Sequence, residues 1–474
     1  MGSIKHQGKR AGLGRGRRRE LRRSEPPHVG SYKDESGSAF IIVLWVAFGL
    51  VSLSLYFGNS MVLELRAADN RVSGLGAEQA IEGAVRYING ILGNYAAYGS
   101  NGVVPDRSGY LAEAVAVGES HFWLIGRETN TVFGPGALTF GLIDEGSKVN
   151  LNLDSATTTS NLLYSLLESM PRANQDILGP ILDWRSTNGG AYSTYYSMRG
   201  QPYQSKNGPF ESVDELRLVY GADMETLVGE DRNRNGVLDP NETDENKDGQ
   251  VELGLLEYVT VYSREPNTTR TNASSPISTG LRSLLESALG SSRAEQVSQK
   301  LSAPPPGNLR SPLEFYLKSG MTSDEFAKIG NQITFSTAQF IVGRVNVNTA
   351  SAAVLAALPG ITSSPDLAQT LVNYRETNPD KLTTVAWVAD ALGQNNQTVL
   401  SALQANDCIT TQSYQFTADI AALGPNGRGY RRVRFVFDTA DGSPKIIYRQ
   451  DLTPLGWALG KDVRQKWVLA KATP

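Results

Sequence analysis

The hydrophobic pattern divides the chain into unlike regions. Residues 1–36 are polar and basic, and the stretch from Gly37 to Leu63 carries no charge. It reads Phe40-Ile41-Ile42-Val43-Leu44-Trp45-Val46 and continues through Leu50, Leu53, Leu55 and Phe57 to Val62. About 26 residues of helix rise roughly 39 Å, enough to cross a hydrocarbon core of about 30 Å. A soluble core helix is rarely apolar on every face for so long, so the pattern predicts a membrane span. Beyond Glu64 the apolar positions become periodic. Leu65, Ala68, Val72 and Leu75 keep one face, and Ile81, Val85, Ile88, Leu92 and Tyr95 resume it after a phase slip. This predicts a single long helix over 38–98, with its second half packed on a sheet.

Strand patterns follow at 121–125 and 137–144, with a Gly-Pro-Gly turn at 134–136. They then stop for more than 250 residues and return at 413–423, 430–438 and 443–451. The stretch between reads as short helices and polar loops. The economical architecture is α+β, one αβ domain split by a large helical insertion. The expected segments are a leader at 1–37, the membrane part of the helix at 38–63 and the first part of the αβ domain at 64–147. The insertion takes 148–410 and the closing strands 411–474. Two parts of the insertion share a theme. Val149-Asn150-Leu151-Asn152 precedes helical runs at 161–170 and 176–184, and Val345-Asn346-Val347-Asn348 precedes runs at 351–358 and 366–375. This predicts a duplicated helix-hairpin-helix or SAM-like unit. The stretches 263–276 and 304–306 read as loops or linkers.

Charge adds an orientation. Ten Lys and Arg residues fall within 1–36, against four acidic ones. Basic residues ahead of a span favour a cytoplasmic N-terminus and export of the remainder. Overall the net charge is −3, and Cys408 is the sole cysteine, so no intrachain disulfide exists. Three fates suit the span: a plain anchor, a cleaved secretory signal, or a prepilin-type leader cut between Gly37 and Ser38. The apolar run is long for a secretory signal and lacks a small-residue cleavage site at its far end. A glycine directly between polar leader and apolar run favours the third.

The sharpest candidate chemistry lies at 231–255. Asp231, Asn233, Asn235, Val237, Asp239 and Glu242 fall at positions 1, 3, 5, 7, 9 and 12 of an EF-hand-type loop, with Gly236 at position 6. Calcium requires six to eight oxygens, and alternate side chains of a tight loop supply them. Leu238 is expected to anchor the loop in the core. A second loop begins 13 residues later with Asp244, Asn246, Asp248, Gln250 and Glu252, but its twelfth position is Leu255. It would borrow a carboxylate from Glu242 or Glu257, or bind weakly. The competing reading is a solvated acidic loop of Asx-turns.

No catalytic constellation stands out, and the reading is non-enzymatic. His6 and His28 lie in the leader, and His121 lies in a strand pattern. The hairpin at Leu358-Pro359-Gly360-Ile361 raises a rival, a membrane-anchored extracytoplasmic helix-hairpin-helix DNA-binding protein of the competence type. It has no second hairpin glycine and no adjacent Lys or Arg, so the phosphate contribution to binding is small. The expectation is no nucleic-acid partner.

These residues together resemble general secretion pathway protein K, the large minor pseudopilin of type II secretion systems. The resemblance runs over nearly the whole chain after Gly37. It rests on the Gly37–Ser38 junction, Asn150-Leu151-Asn152, Leu182-Asp183-Trp184, the stretch from Tyr203 through Asn207-Gly208-Pro209-Phe210 to Gly221, and 345–350. Most pilins carry Glu at the fifth mature position, and protein K members characteristically lack it, as Ile42 does here. The resemblance implies a pseudopilin fold with a helical insertion and cleavage by a prepilin peptidase. It implies an inner-membrane anchor with the bulk of the chain periplasmic. It further implies a place at the pseudopilus tip with minor pseudopilins I and J, initiating assembly and supporting export of secreted cargo. Calcium binding in the helical domain is also implied, carried here to 231–242 and less firmly to 244–252.

Overall fold

The computed structural model describes residues 36–97, 102–127, 138–153, 159–187, 190–276, 278–303 and 307–469. Residues 1–35 of the leader, the Gly-Pro-Gly turn at 134–136 and the prolines at 304–306 lie outside them. The chain forms two compact units, Met1–Arg66 and Ala67–Pro474. In the first, the helix Ser36–Ala97 begins, with Gly37 and Ser38 in its first turn. Its side chains from Phe40 to Leu63 are exposed on all sides, and an 18-residue window averages a mean hydropathy of 2.4. By length and composition this helix can cross a membrane.

In the second unit the same helix becomes one-sided. Ala77, Ala80, Ile81, Ala84, Val85, Ile88 and Leu92 are buried, spaced three and four apart. Burial of each large aliphatic side chain contributes about 1.5–3 kcal/mol. Val72 and Leu75 stay exposed, contrary to the periodic reading. The reason is phase: at that level the buried face is carried by Ser73, Gly74 and Ala77, which lie against the domain, and Val72 and Leu75 fall outside it.

The sheet runs in the order Val115–Val117, Ser120–Ile125, Gln415–Leu423, Tyr430–Asp438, Lys445–Asp451. Neighbours are antiparallel, and Ile143–Asp144 also pairs with the central strand Gln415–Leu423. The expected strand at 137–144 is thus shorter, an isolated bridge at Phe140 and then two residues. Gly141, at φ 150, breaks it. All nine residues of the central strand are buried, because both of its faces are covered. Phe416, Ala418, Ile420 and Ala422 join Phe122, Leu124, Val433, Phe435 and Phe437 under the long helix. Alternate residues point the other way. Ala421 and Leu423 pack with Trp123, Ile125, Ala458 and Leu459 just before a closing helix, Gly460–Leu469, that the sequence pattern does not announce.

The rest of that second face is polar and meets the insertion. Asp419, fully buried, accepts from Arg432 at 2.8 Å on both oxygens and from Arg434 at 2.8 Å. Arg264 of the insertion pairs with Asp438, and Thr417 donates to Glu145. The insertion contains short strands absent from the sequence reading. Arg264–Pro266 pairs with Phe340–Val342 and Thr271–Asn272 with Ile333–Thr334, so 263–276 is not a linker. Ladders of two or three residues leave too little alternation to be read.

The two related parts of the insertion have matching geometry. Val149–Asn150 pairs in parallel with Val259–Thr260, and Val345–Asn346 with Ile409–Thr410. Helices Thr159–Glu168 and Gln175–Arg185 follow the first, and Ala352–Ala356 and Asp366–Thr377 the second. Asn150 and Asn346 each accept from the amide two residues on and donate to the hydroxyl of Ser263 and Ser413 respectively. Asp144 and Glu145 join both parts to the sheet. Asp144 accepts from Asn346, Thr349 and Ser413 of the second, and Glu145 from Thr260 of the first.

Burial alone would raise the Asp419 carboxyl, but Arg432 and Arg434 outweigh it and hold it well below the usual carboxylate range. The stabilisation it provides is complete above the unfolded value of about 3.9 and is lost as pH falls below it. Asp419→Ala is expected to lower stability by about 3–5 kcal/mol at neutral pH, because two buried guanidiniums lose their partner. Denaturant melts at neutral and acidic pH check this, with the difference shrinking at acidic pH.

Candidate metal centre

The two loops at 231–255 are built alike. In the first, Asp231 accepts from the amides of Asn235 at 2.9 Å and Gly236 at 2.7 Å. In the second, Asp244 accepts from Lys247 and from Gly249 at 2.9 Å. Positive φ falls at Arg234 and Gly236, and again at Lys247 and Gly249. These two positive-φ positions recur after 13 residues, at the fourth and sixth place of each loop. An isolated bridge between Gly229 and Leu253 ties the loops at their base.

Their surroundings differ. Asp231, Asn233, Asn235 and Val237 are buried, Asp239 and Glu242 are half-buried, and Leu238 packs against the insertion core. Glu242 folds back to accept from the amides of Asn233 and Asp239. Asp239 accepts from the side-chain amides of Asn233 and Asn235. The side-chain oxygen of Asn233 is buried and has no hydrogen-bond partner. Burial raises the Asp231 carboxyl against the pull of Arg127 and two amides. Burial also raises Glu242 against its amide donors, and the charges of Asp231 and Asp239 add to the rise. Loop 1 therefore places anionic and amide oxygens, an orphaned one included, where bare charge is disfavoured, although its carboxylates Asp231, Asp239 and Glu242 are not all drawn within sharing distance of one ion. An oxygen-only set of this kind fits a hard divalent cation.

Loop 2 faces solvent. Asn246, Asp248 and Gln250 are exposed, and Asp244 and Glu252 are half-buried. Glu242 and Glu257 are engaged elsewhere, Glu257 with Arg127 at 2.8 Å. Glu252 instead joins a group absent from the sequence reading. Among the described residues, Glu230, Glu245 and Glu252 are the one trio of carboxylates close enough to share an ion. Arg172 already sits there, 2.7 Å from Glu252, 3.1 Å from Glu245 and 3.8 Å from Glu230. It comes from the turn between the first two helices of the insertion. Glu230, buried, also accepts from the amides of Glu245 and Glu252.

Loop 1 is gripped from the sheet. Arg432 donates to the carbonyls of Asn233 and Arg234, and Arg127 to those of Arg234 and Asn235. Asn235 donates to the carbonyl of Ala458 at 2.7 Å. The Pro359–Gly360 hairpin, in contrast, is closed. A Cβ at Gly360 would fall 2.9 Å from Val399 Cα, so the turn lies against the Gln397–Asn406 helix.

Two family models described as type II secretion system protein K match the chain, one over residues 147–228 and the other over 345–406. Over those residues the chain matches the type II secretion system protein K family. The two matched stretches are the two related parts of the insertion, and loops 1 and 2 lie between them. Among solved structures, a chain of the GspK-GspI-GspJ complex from the enterotoxigenic Escherichia coli type 2 secretion system is similar. It aligns over 79% of this chain and 96% of its own, at 11% identity and a TM-score of 0.36. No curated protein matches the chain.

Arg172→Met leaves three clustered carboxylates facing one another without their cation. Stability is expected to fall by about 1–2 kcal/mol, less than for a fully buried pair because Glu245 and Glu252 reach solvent. Denaturant melts of the variant beside the unsubstituted chain measure it.

Proposed function

We propose that this protein K subunit caps a short periplasmic pseudopilus, initiates its assembly with minor pseudopilins I and J, and supports export of secreted cargo across the outer membrane. The observation that carries the reading is the pair of family-model matches, which fall on the two parts of an insertion set into one sheet. The long helix supports it. Its apolar half would hold the subunit in the inner membrane, N-terminus cytoplasmic, until a prepilin peptidase cuts between Gly37 and Ser38. The same apolar half would then pack in the filament. In a filament interior, a carboxylate at the fifth mature position offsets the cost of burying a neighbour's N-terminal amine. Ile42 offers none, which suits a subunit with no neighbour above it. An insertion of this bulk would also obstruct stacking anywhere but at an end.

Calcium belongs to the same reading. Asp231, Asn233, Asn235, Asp239, Glu242 and the carbonyl of Val237 would hold one ion. The ion supplies positive charge to carboxylates that burial otherwise drives toward protonation. The chain has no disulfide to brace it, and a calcium clamp is the alternative brace. Loop 2, open to solvent and with Leu255 at its twelfth position, would take a second ion more weakly through Asp244, Asn246, Asp248, Gln250 and Glu252.

Co-expression of the full chain with minor pseudopilins I and J, followed by purification in detergent, tests the proposal. The expected result is a three-way complex in calcium that weakens on chelation. Elution of the chain alone in calcium would count against it.

A further inference from the structure

An ion loop turns its side-chain oxygens inward and its intervening carbonyls outward. The outward carbonyls then need donors of their own. In loop 1 they are those of Asn233, Arg234 and Asn235, three consecutive buried residues out of reach of bulk water. Leaving such carbonyls unpaired is costly. Two guanidiniums from distant parts of the chain meet this need. Arg432 lies in the Tyr430–Asp438 strand, and Arg127 follows the Ser120–Ile125 strand by two residues.

We propose that Arg127 and Arg432 are the positioning residues of loop 1, holding its three outward carbonyls so that the loop keeps its ligating shape before an ion enters. The proposal rests on reading loop 1 as a calcium site. A positive charge beside a cation site would ordinarily oppose binding. Here each guanidinium is balanced on its far side, Arg432 by Asp419 and Arg127 by Glu257, both at 2.8 Å. What reaches the loop is directed N–H donation with its charge partly offset by these carboxylates. The planar fork makes this possible: one side chain bridges a carboxylate and two carbonyls at once. A lysine ammonium keeps the charge without the fork. A loop held in shape loses less freedom when the ion arrives, and that gain appears as affinity. Asn235 extends the joint, since its bond to Ala458 ties the fifth loop position to the segment leading into the closing helix.

The Lys substitutions separate positioning from charge. Calcium affinity is measured by titration calorimetry on the full chain in detergent, beside melting temperatures in calcium and in chelator. Arg127→Lys and Arg432→Lys are each expected to weaken calcium binding by about tenfold or more and to narrow the gap between the two melting temperatures. Arg434→Lys is the control. Arg434 pairs with Asp419 but donates to no loop carbonyl among the described contacts, so its affinity should stay within about twofold. The proposal is overturned if the Arg127 and Arg432 variants keep the unsubstituted affinity while melting lower in both conditions by the same amount. If the unsubstituted chain itself takes up no calcium, the calcium reading fails and this inference with it.

Discussion

Much of the second unit depends on one buried carboxylate. Asp419 sits at the centre of the central strand, fully enclosed, with Arg432 and Arg434 on its oxygens. Burying three charges together is tolerable only when geometry and further hydrogen bonds satisfy what remains of each. The remaining donors of Arg432 go to loop 1. The sheet's polar face is therefore completed by the insertion, and loop 1 of the insertion is completed by the sheet. Neither half closes its hydrogen bonds alone, so the large insertion is a structural member of the fold.

The same logic explains the two-faced central strand. One alternation of residues is apolar and meets the long helix; the other is polar at Gln415, Thr417 and Asp419, toward the insertion, and apolar at Ala421 and Leu423. Asp144 and Glu145 repeat the arrangement at the sheet's margin, one serving each of the related parts. Internal repetition and the single sheet are thus joined through a few buried acceptors. These acceptors direct each part of the insertion by hydrogen-bond geometry, where an apolar seam would leave its orientation loosely defined.

Much of this was legible in the sequence. The span, the continuation of its helix and the closing strands follow from unbroken periodicities of 3.6 and 2. Loop 1 follows from oxygen-bearing residues at fixed spacing around a glycine. The two related parts could be paired through their Asn-x-Asn entries. What stayed hidden was long-range. Arg432 and the Arg234 carbonyl it holds are 198 residues apart. Arg172 reaches Glu252 across 80 residues. No local pattern announces such contacts. A trace existed all the same: an aspartate within an otherwise apolar strand, facing two arginines in phase on the next. Ladders of two or three residues and the closing helix carried too little pattern to be read. Val72 and Leu75 misled because small residues, Ser73 and Gly74, carry the buried face there, and small residues leave no apolar periodicity to read.

The central claim is that the chain is a processed pseudopilin subunit, and the left edge of its long helix is where that claim is most exposed. Mass spectrometry of the N-terminal peptide, from the full chain expressed beside a prepilin peptidase, tests it most directly. The account predicts a mature chain beginning at Ser38 with the apolar span intact. An uncut Gly37–Ser38 bond with the peptidase active would contradict it.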